Sequence, residues 1–491
     1  MFAIGGGVLT APLAGSSAPP GPGISGNDHQ ESGRLSLWDF VGPADRQALQ
    51  TGGGTPDLTR ALQAAVDTAV SERKALHLPG THPNTDIKIS SPISVKGPLR
   101  IAGDGEGASR ILCMDCDGFT FAAGVSSFSP QGFNIALAQR HVAADGRVTP
   151  NSHAAFRVSG TARNPCYRFH FRRVFIDGFG HGILGDFLSQ SSFDVSTVYV
   201  GNGIWLRGQS INNVVLGASQ IVGAGSIRTE AAPGSAAIRV GDLTQPQPEG
   251  LTIQPGTLIF GFKRALWVQG AINVTMASAI CDGISECAVL EESDNRTPSF
   301  GNNYNDNYCG MAGAAVSAFR LRSTATAYRY DNRGTTLRNN EIAIYGGANL
   351  DHGYLVEGPF IENISIVDSK LIQGRSGGGS LIETRVRDCR ITGGRGHRIA
   401  GNAWNASTGF ETRVPVQYEG NAGRLAVGAD LVFRYEAGQR VTYGARSPLA
   451  GAAEVGDRHI NTAPAPGAAL GWICVTAGAP GAWKPMGFIG V

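Results

Sequence analysis

The chain has 491 residues and a formal net charge of only +2, from 41 Lys and Arg against 39 Asp and Glu. Charged residues make up 16% of it, and no basic block offers the footprint that phosphate neutralisation requires, so nucleic acid is excluded as a ligand class. No apolar run approaches the ~20 residues of a membrane-spanning helix, while 69 glycines and 42% apolar residues describe many short strands and turns and not a helical bundle.

Residues 1–36 open with "MFAIGGGVLTAPLAGSSAPPGPG", a weak apolar stretch without a basic start, followed by the linker composition of "GSSAPPGPGISG". This segment is expected to be a flexible leader or docking segment, with a degenerate signal peptide as the alternative. Residues 37–84 contain the clearest helix signal, "TPDLTRALQAAVDTAVSERK". Thr55 is a good N-cap, Pro56 suits the first helical position, and Leu58, Leu62, Ala65, Val66 and Ala69 fall on one face. The expected helix covers residues 56–72. Leu76-His77-Leu78 then alternates like a strand before Pro79-Gly80 turns the chain.

The eight cysteines are scattered over the long chain, unlike a disulfide scaffold. Cys113-Met114-Asp115-Cys116 has metal-ligand spacing, but no second pair or histidine cluster completes a site. Buried thiols are expected, with no metal and no cofactor.

From about residue 166 short apolar triplets recur, as in "HGILG", "NGIWLRG", "SAAIRVGD", "RALWVQG", "ECAVLEE", "SAFRLRS", "HGYLVEG" and "GSLIETR". Their first inward apolar residues are Ile183, Ile204, Ile238, Leu266, Ala288, Phe319, Tyr354 and Leu381, at intervals of 21, 34, 28, 22, 31, 35 and 27 residues. Self-similarity at that length is the mark of a stacked solenoid. Each repeat offers strand alternation and no amphipathic helix, so the fold class is all-β: a right-handed parallel β-helix over residues 85–410, its hand following from the usual chirality of parallel connections. The open end of such a solenoid exposes unpaired backbone and core, and the helix at 56–72 reads as its plug. Residues 411–491, with Trp472, Cys474 and Trp483 among Gly and Pro turns, read as a small β-rich C-terminal hairpin module.

The order helix, "LHLPGTH", "SPISVKGPLRIAGDGEGASRI" and then β-coils resembles the pectate-lyase-like superfamily of right-handed β-helices, and is most similar to its branch of bacteriophage tailspikes and capsule depolymerases. The "FGA-GDG-TDDT" run typical of that branch survives only in outline, in "FVGPADRQALQTGGGTPDLT". The resemblance covers about residues 37–400. It implies a protein that binds and cleaves a bacterial surface polysaccharide as hydrolase or lyase, located on a virion tail and attached through its N-terminus; a homotrimer held along the outward Trp205/Trp267 stripe and the C-terminal module is expected. A non-catalytic glycan-binding adhesin and a secreted bacterial polysaccharide lyase are the alternatives.

No nucleophile or phosphate-loop motif is present. Repeats instead supply columns of equivalent residues, and two of them stand out. One, preceding the apolar triplet, contains His181, Asn202, Arg264, Glu286 and His352. The other faces outward through Trp205, Arg239, Trp267, Val289, Arg320, Leu355 and Ile382; an outward tryptophan calls for a sugar ring or a neighbouring subunit, and the apolar continuation favours the subunit. Glycosidic hydrolysis needs two carboxyl groups. The densest acidic stretch, 282–306, supplies Glu286, Asp306 and Asp282 as catalytic candidates, with Glu286 and Asp306 the preferred pair. The adjoining "SFGNNYNDNYCG" supplies Asn303, Tyr304 and Tyr308 for sugar hydroxyls, with Arg264 and His352 from neighbouring repeats. A lyase would draw its base from Arg264, His352, Tyr328 or Tyr330. Asp177 and His181 form a further polar pair on a turn.

Overall fold

The computed structural model describes residues 33–139, 151–223, 235–312, 314–326, 332–344, 349–358, 360–373, 387–391, 397–400, 410–412, 416–419, 432–436, 439–449 and 453–490. These residues wind into a parallel β-helix. Twelve parallel strands form one sheet, called here the front sheet: Ile93–Val95, Phe119–Phe121, Ala154–Ser159, His181–Asp186, Asn202–Arg207, Ala236–Gly241, Arg264–Gln269, Cys287–Ser293, Ala314–Ser323, Asn349–Glu357, Arg387–Ile391 and Phe410–Thr412. In the central coils the chain adds two further faces before it returns to the front, and three coils also carry a two-residue strand, Ser299–Phe300, Asn332–Arg333 or Ile361–Glu362, ahead of the second face. One set forms a second face, from Ile211–Val215 through Glu249–Ile253, Thr275–Ala277, Asn303–Asn305 and Thr336–Arg338 to Ser365–Val367. The other forms a third face, from Gln220–Gly223 through Leu258–Phe260, Ile280–Ile284, Tyr308–Met311 and Glu341–Ile344 to Lys370–Gln373. Parallel pairing already joins Arg34–Ser36 to Ala75–Leu78 and still joins His397–Ala400 to Val416–Glu419, so it runs past 85–410 at both ends.

Ile183, Ile204, Ile238 and Leu266 stack in register as the inner row of the front sheet. The row continues through Val289, not Ala288, and then Phe319, Tyr354 and Cys389. Cys287–Ser293 is buried at every position, so this strand lacks the alternation that fixes phase. Leu381 lies outside the described residues.

The corner between the second and third faces is two residues long in four successive coils: Ser278-Ala279, Asp306-Asn307, Asn339-Asn340 and Asp368-Ser369. The first residue of each is left-handed, with φ between 49° and 59°, a region Asp and Asn enter more readily than most residues. From the second position Asn307 Oδ1 accepts from Ala279 N at 3.0 Å, Asn340 Oδ1 accepts from Asn307 N at 3.1 Å, and Asn340 Nδ2 donates to Tyr304 O at 2.8 Å. These buried amides form an internal ladder whose polar atoms are satisfied by neighbouring coils. By contrast, the described connections at the margin of the front sheet are longer, as at 242–248 and 294–298. The uneven repeat intervals are therefore absorbed beside the front sheet.

Helix α2, Thr59–Glu72, starts three residues later than the sequence suggests. Asp57 Oδ1 accepts from Thr59 N at 2.9 Å and Thr59 Oγ1 at 2.5 Å, and Leu58 occupies the N-cap position with φ −101°. Leu62, Ala65, Val66 and Ala69 form the buried face as expected, packed on the first strands, Arg34–Ser36, Ala75–Leu78, Ile93–Val95 and Leu99–Gly103. A preceding helix, α1 (Pro43–Thr51), was not anticipated, although Pro43 at its start and the left-handed Gly52 after its end are ordinary helix punctuation. At the C-terminal end Gly471–Thr476 and Ala482–Pro485 form the expected antiparallel hairpin, with Cys474 opposite Trp483.

Candidate functional site

The outer row of the front sheet is Leu184, Trp205, Arg239, Trp267, Leu290, Arg320 and Leu355. Val289, expected in this stripe, faces the core, and Ile382 lies outside the described residues. The two tryptophans stand two rungs apart, ~10 Å at the usual strand spacing. Between them the Arg239 guanidinium lies 3.8 Å from the Trp205 ring centre and 4.1 Å from that of Trp267. Arg207 covers Trp205 at 4.8 Å and Arg264 covers Trp267 at 4.3 Å. Trp205 Nε1 donates to Gly241 O at 3.1 Å, and Trp267 Nε1 donates to Glu292 Oε2 at 2.7 Å. The indoles that seemed to call for an external partner are thus partly covered by guanidinium groups of their own chain, each contact stabilising by ~0.5–2 kcal/mol.

Most arginines of this face are neutralised locally. Arg157 pairs with Asp117 at 2.5 Å, Arg207 with Asp186 at 2.6 Å, Arg264 with Glu286 at 2.5 Å, Arg320 with Glu357 at 2.7 Å, and Arg322 with Glu292. Arg239 differs. Its Nε and Nη2 donate to the amide oxygen of Gln269 at 2.9 and 2.6 Å, and it is the one arginine among the described side chains of the front sheet without a carboxylate at ion-pair distance. Burial pulls its pKa down from 12.5 to about 10, helped by Arg264 and Arg207 and opposed by Asp242. It remains charged at neutral pH. An amide orients this cation without cancelling it.

At the margin where the third face turns into the front sheet stand Asp282 and Glu286. Asp282 is half-buried and in register with Phe260; burial pushes its carboxyl above the usual range, opposed by the Gly283 N–H, which donates to Oδ1 at 2.8 Å. Glu286 sits four residues on, its backbone N–H donating to Lys263 O at 2.9 Å and its carboxylate held by Arg264. Tyr308 is half-buried on the next strand of the third face, opposite Ile280 and diagonal to Asp282. Three of the expected site residues therefore share this margin, Asp282, Glu286 and Arg264, while Tyr308 opens its strand directly after the second-to-third corner.

The others do not join them. Asp306 is the left-handed residue of the second-to-third corner, with Oδ1 accepting from Asn339 Nδ2 at 2.7 Å, so the pair Glu286 and Asp306 is split between different corners of the coil. Asn303 faces along the second face and its amide donates to Gly301 O at 3.0 Å. Tyr304 is fully buried and donates to Glu291 Oε2 at 2.7 Å, leaving no ring face for a sugar. His352 is only 7% exposed, on the inward side of its strand between Ser317 and the next coil. Asp177 is buried at the end of His170–Asp177, while His181 lies on the front margin 5.5 Å from Trp205. Tyr328 and Tyr330 lie outside the described residues. Gln269 and Glu292 went unnoticed as determinants of the face, although each falls on the outward parity of its strand beside Trp267. Among the described residues no group of three His, Cys, Asp or Glu converges as a metal site.

The acidic stretch also enters the lumen. Glu291 is fully buried, accepting from Ser299 Oγ at 3.1 Å, Thr335 Oγ1 at 2.9 Å and Tyr304 Oη. Burial pushes its carboxyl up, against the pull of these donors.

No family model matches the chain, and no curated protein matches it in sequence. Solved structures similar to it include DFA-IIIase from Arthrobacter chlorophenolicus A6 in complex with GF2, at 10% identity and a TM-score of 0.49, covering 77% of this chain and 94% of that one. The surface adhesin PfbA of Streptococcus pneumoniae aligns at 10% identity and a TM-score of 0.46, over 93% and 100% of the two chains. The catalytic unit of the GH87 alpha-1,3-glucanase from Streptomyces thermodiastaticus strain HF3-3 aligns at 12% and 0.40, over 84% and 68%. At such values no residue role passes from these proteins to this chain.

Proposed function

We propose that the front face binds an anionic polysaccharide laid along the solenoid axis, and that the margin at Asp282 and Glu286 hydrolyses it, making the protein a depolymerase of bacterial surface glycans on the tailspike pattern. The observation that carries this reading is Arg239. A planar cation held between two indoles, oriented by an amide and without a carboxylate at ion-pair distance, presents a fixed charge to a sugar carboxylate, its geometry set by tryptophan faces that the chain's own arginines cover. A neutral glycan would gain nothing from that charge. The connections 242–248 and 294–298 beside the front sheet supply walls for such a groove. Asp282, with its raised carboxyl, is the general acid; Glu286 is the carboxylate that activates water or attacks the anomeric carbon.

One observation favours binding without cleavage: the front-face carboxylates Asp186, Glu286, Glu292 and Glu357 all share oxygens with arginines, an arrangement suited to a rigid platform. Incubation of the full chain with uronate-containing and neutral polysaccharides separates the readings. Hydrolysis releases reducing ends, elimination also releases unsaturated uronates, and an adhesin binds without either. Asp282→Asn and Glu286→Gln are each expected to reduce turnover ~10²-fold or more with binding retained. Equal binding of neutral and acidic chains would remove the support that Arg239 gives.

A further inference from the structure

The corner that leads into the second face is marked by a column of left-handed residues. In the central coils it holds Asn212, Gly250, Asn273 and Gly301, types that enter this region readily. In an earlier coil the same column holds Arg168, at φ 62°, and the strand His170–Asp177 that follows contains a second left-handed arginine, Arg173, at φ 48°. Arg172 and Arg173 form a bulge opposite Asp194, between the pairs Phe171–Phe193 and Val174–Val195. Arginine has no short polar side chain to favour that backbone, and strain of this kind gathers at ligand clamps. All three arginines are exposed, and among the described residues no carboxylate, Asp194 and Glu106 included, lies at ion-pair distance from any of them. The front sheet, by contrast, neutralises Arg157, Arg207, Arg264, Arg320 and Arg322 with acids of its own. Between the arginines, half-buried His170 places Nδ1 2.9 Å from Ser192 Oγ. Burial, then Arg172 and Arg168, hold its imidazole below the ordinary 6.5, so the uncancelled charge is felt within the coil.

We infer that this coil is a second binding site for an anionic polysaccharide, separate from the Arg–Trp row, in which Arg168 takes one sugar carboxylate and the Arg172-Arg173 bulge takes another. The class of ligand rests on the function proposed above, whereas the site rests on its own residues. Guanidinium groups pair with carboxylates through two parallel N–H donors, and here nothing within the chain already occupies them. Three such groups fall short of the about six to ten phosphate contacts of a typical DNA-binding surface, and a net charge of +2 supplies no wider field to draw a nucleic acid in. The neighbours on the next coil are an exposed amide, Gln190, and a half-buried hydroxyl, Ser192; both donate and accept, as a polyhydroxylated chain requires. A long chain held here as well as at Arg239 would be tethered at two points, and release from one would leave its ends concentrated near the other.

The test is calorimetric titration of the full chain with a short oligogalacturonate. Arg168→Asn combined with Arg173→Asn removes two of the charges and suits both left-handed positions, so the variant should melt no lower than the unaltered chain while its affinity at this site falls at least ~10-fold. Arg239→Met should leave this site intact. A loss of binding in the double variant together with no effect of Arg239→Met would sink the front-face reading and keep this one; the reverse result overturns the inference. An unaltered chain that binds no oligogalacturonate also overturns it, as does a DNA oligomer bound as tightly at the same arginines. Should the double variant fail to fold, nuclear magnetic resonance titration of His170 in the unaltered chain decides: bound carboxylates offset Arg172 and Arg168 and raise its pKa, and a His170 that titrates identically with and without the oligomer refutes the site.

Discussion

Replacing Arg239 by methionine separates a functional cation from a structural one. The fall from 12.5 to about 10 means that the surroundings disfavour the charged guanidinium by ~3 kcal/mol, at ~1.4 kcal/mol for each tenfold in acidity. Two cation–π contacts, at 3.8 and 4.1 Å, return ~1–2 kcal/mol each in this partly desolvated setting. The two nearly cancel. What remains is the Gln269 oxygen, which loses both donors at a cost of ~1–2 kcal/mol, while the methionine stem still fills the gap between the indoles. Arg239→Met is therefore expected to shift unfolding in urea by only ~1–2 kcal/mol. Binding of a polyuronate should fall at least ~10-fold, the worth of one charge-assisted hydrogen bond, and lose much of its salt dependence. Calorimetric titration at low and at physiological salt measures the second effect. Arg239→Lys should recover part of the salt dependence but not the affinity, because the planar fork is gone. Unchanged polyuronate binding in the methionine variant refutes the assignment, and a stability loss of ~4 kcal/mol or more would make Arg239 a structural residue instead.

Glu291 gives a pH signature. Its carboxyl is raised in the folded chain above the ordinary 4.5, so its contribution to stability is full below that value and is lost as pH rises through the folded pKa; thermal melts should fall as pH is raised above 4.5, and Glu291→Gln should flatten that trend. Asp306→Asn keeps the left-handed corner and is expected to change stability by less than ~1 kcal/mol and leave activity near normal; a ~10²-fold loss of turnover would return Asp306 to the site. The homotrimer is proposed to close through the C-terminal module, where Leu449, Val455, Leu470 and Phe488 are exposed. Sedimentation of the full chain should give three copies, and Phe488→Ser should shift it toward monomer; a monomeric unaltered chain ends that proposal.

The solenoid was legible because isoleucine and leucine recur where coils must interlock: Ile183, Ile204, Ile238 and Leu266 announced their own register. The phase failed at Ala288, where a strand buried along its whole length carries no alternation to read. Tyr304 failed for a related reason. "NNYNDNY" looks like a polar loop, yet Asn302 and Asn307 are corner residues whose amides serve neighbouring backbone groups inside the coil, so their polarity marks burial and not exposure. Asp306 could not be placed without knowing that its coil turns in two residues. The charge state of the front face was equally hidden, since it depends on which carboxylate each arginine meets across rungs separated by 21 to 40 positions in sequence.

The contrast between the two kinds of corner maps where the chain tolerates foreign sequence. A single residue added at Ser278-Ala279 would reverse the parity of Ile280–Ile284 and drive Asp282 into the lumen in exchange for Cys281. A peptide spliced into 294–298, at the border of the front sheet, leaves every rung in step, and each doubling of such a loop costs only ~0.6 kcal/mol in closure entropy. The same scaffold can therefore exchange the rim around its Arg–Trp row piece by piece, and chimeras that transplant whole rim segments should fold where one-residue insertions at the tight corner do not.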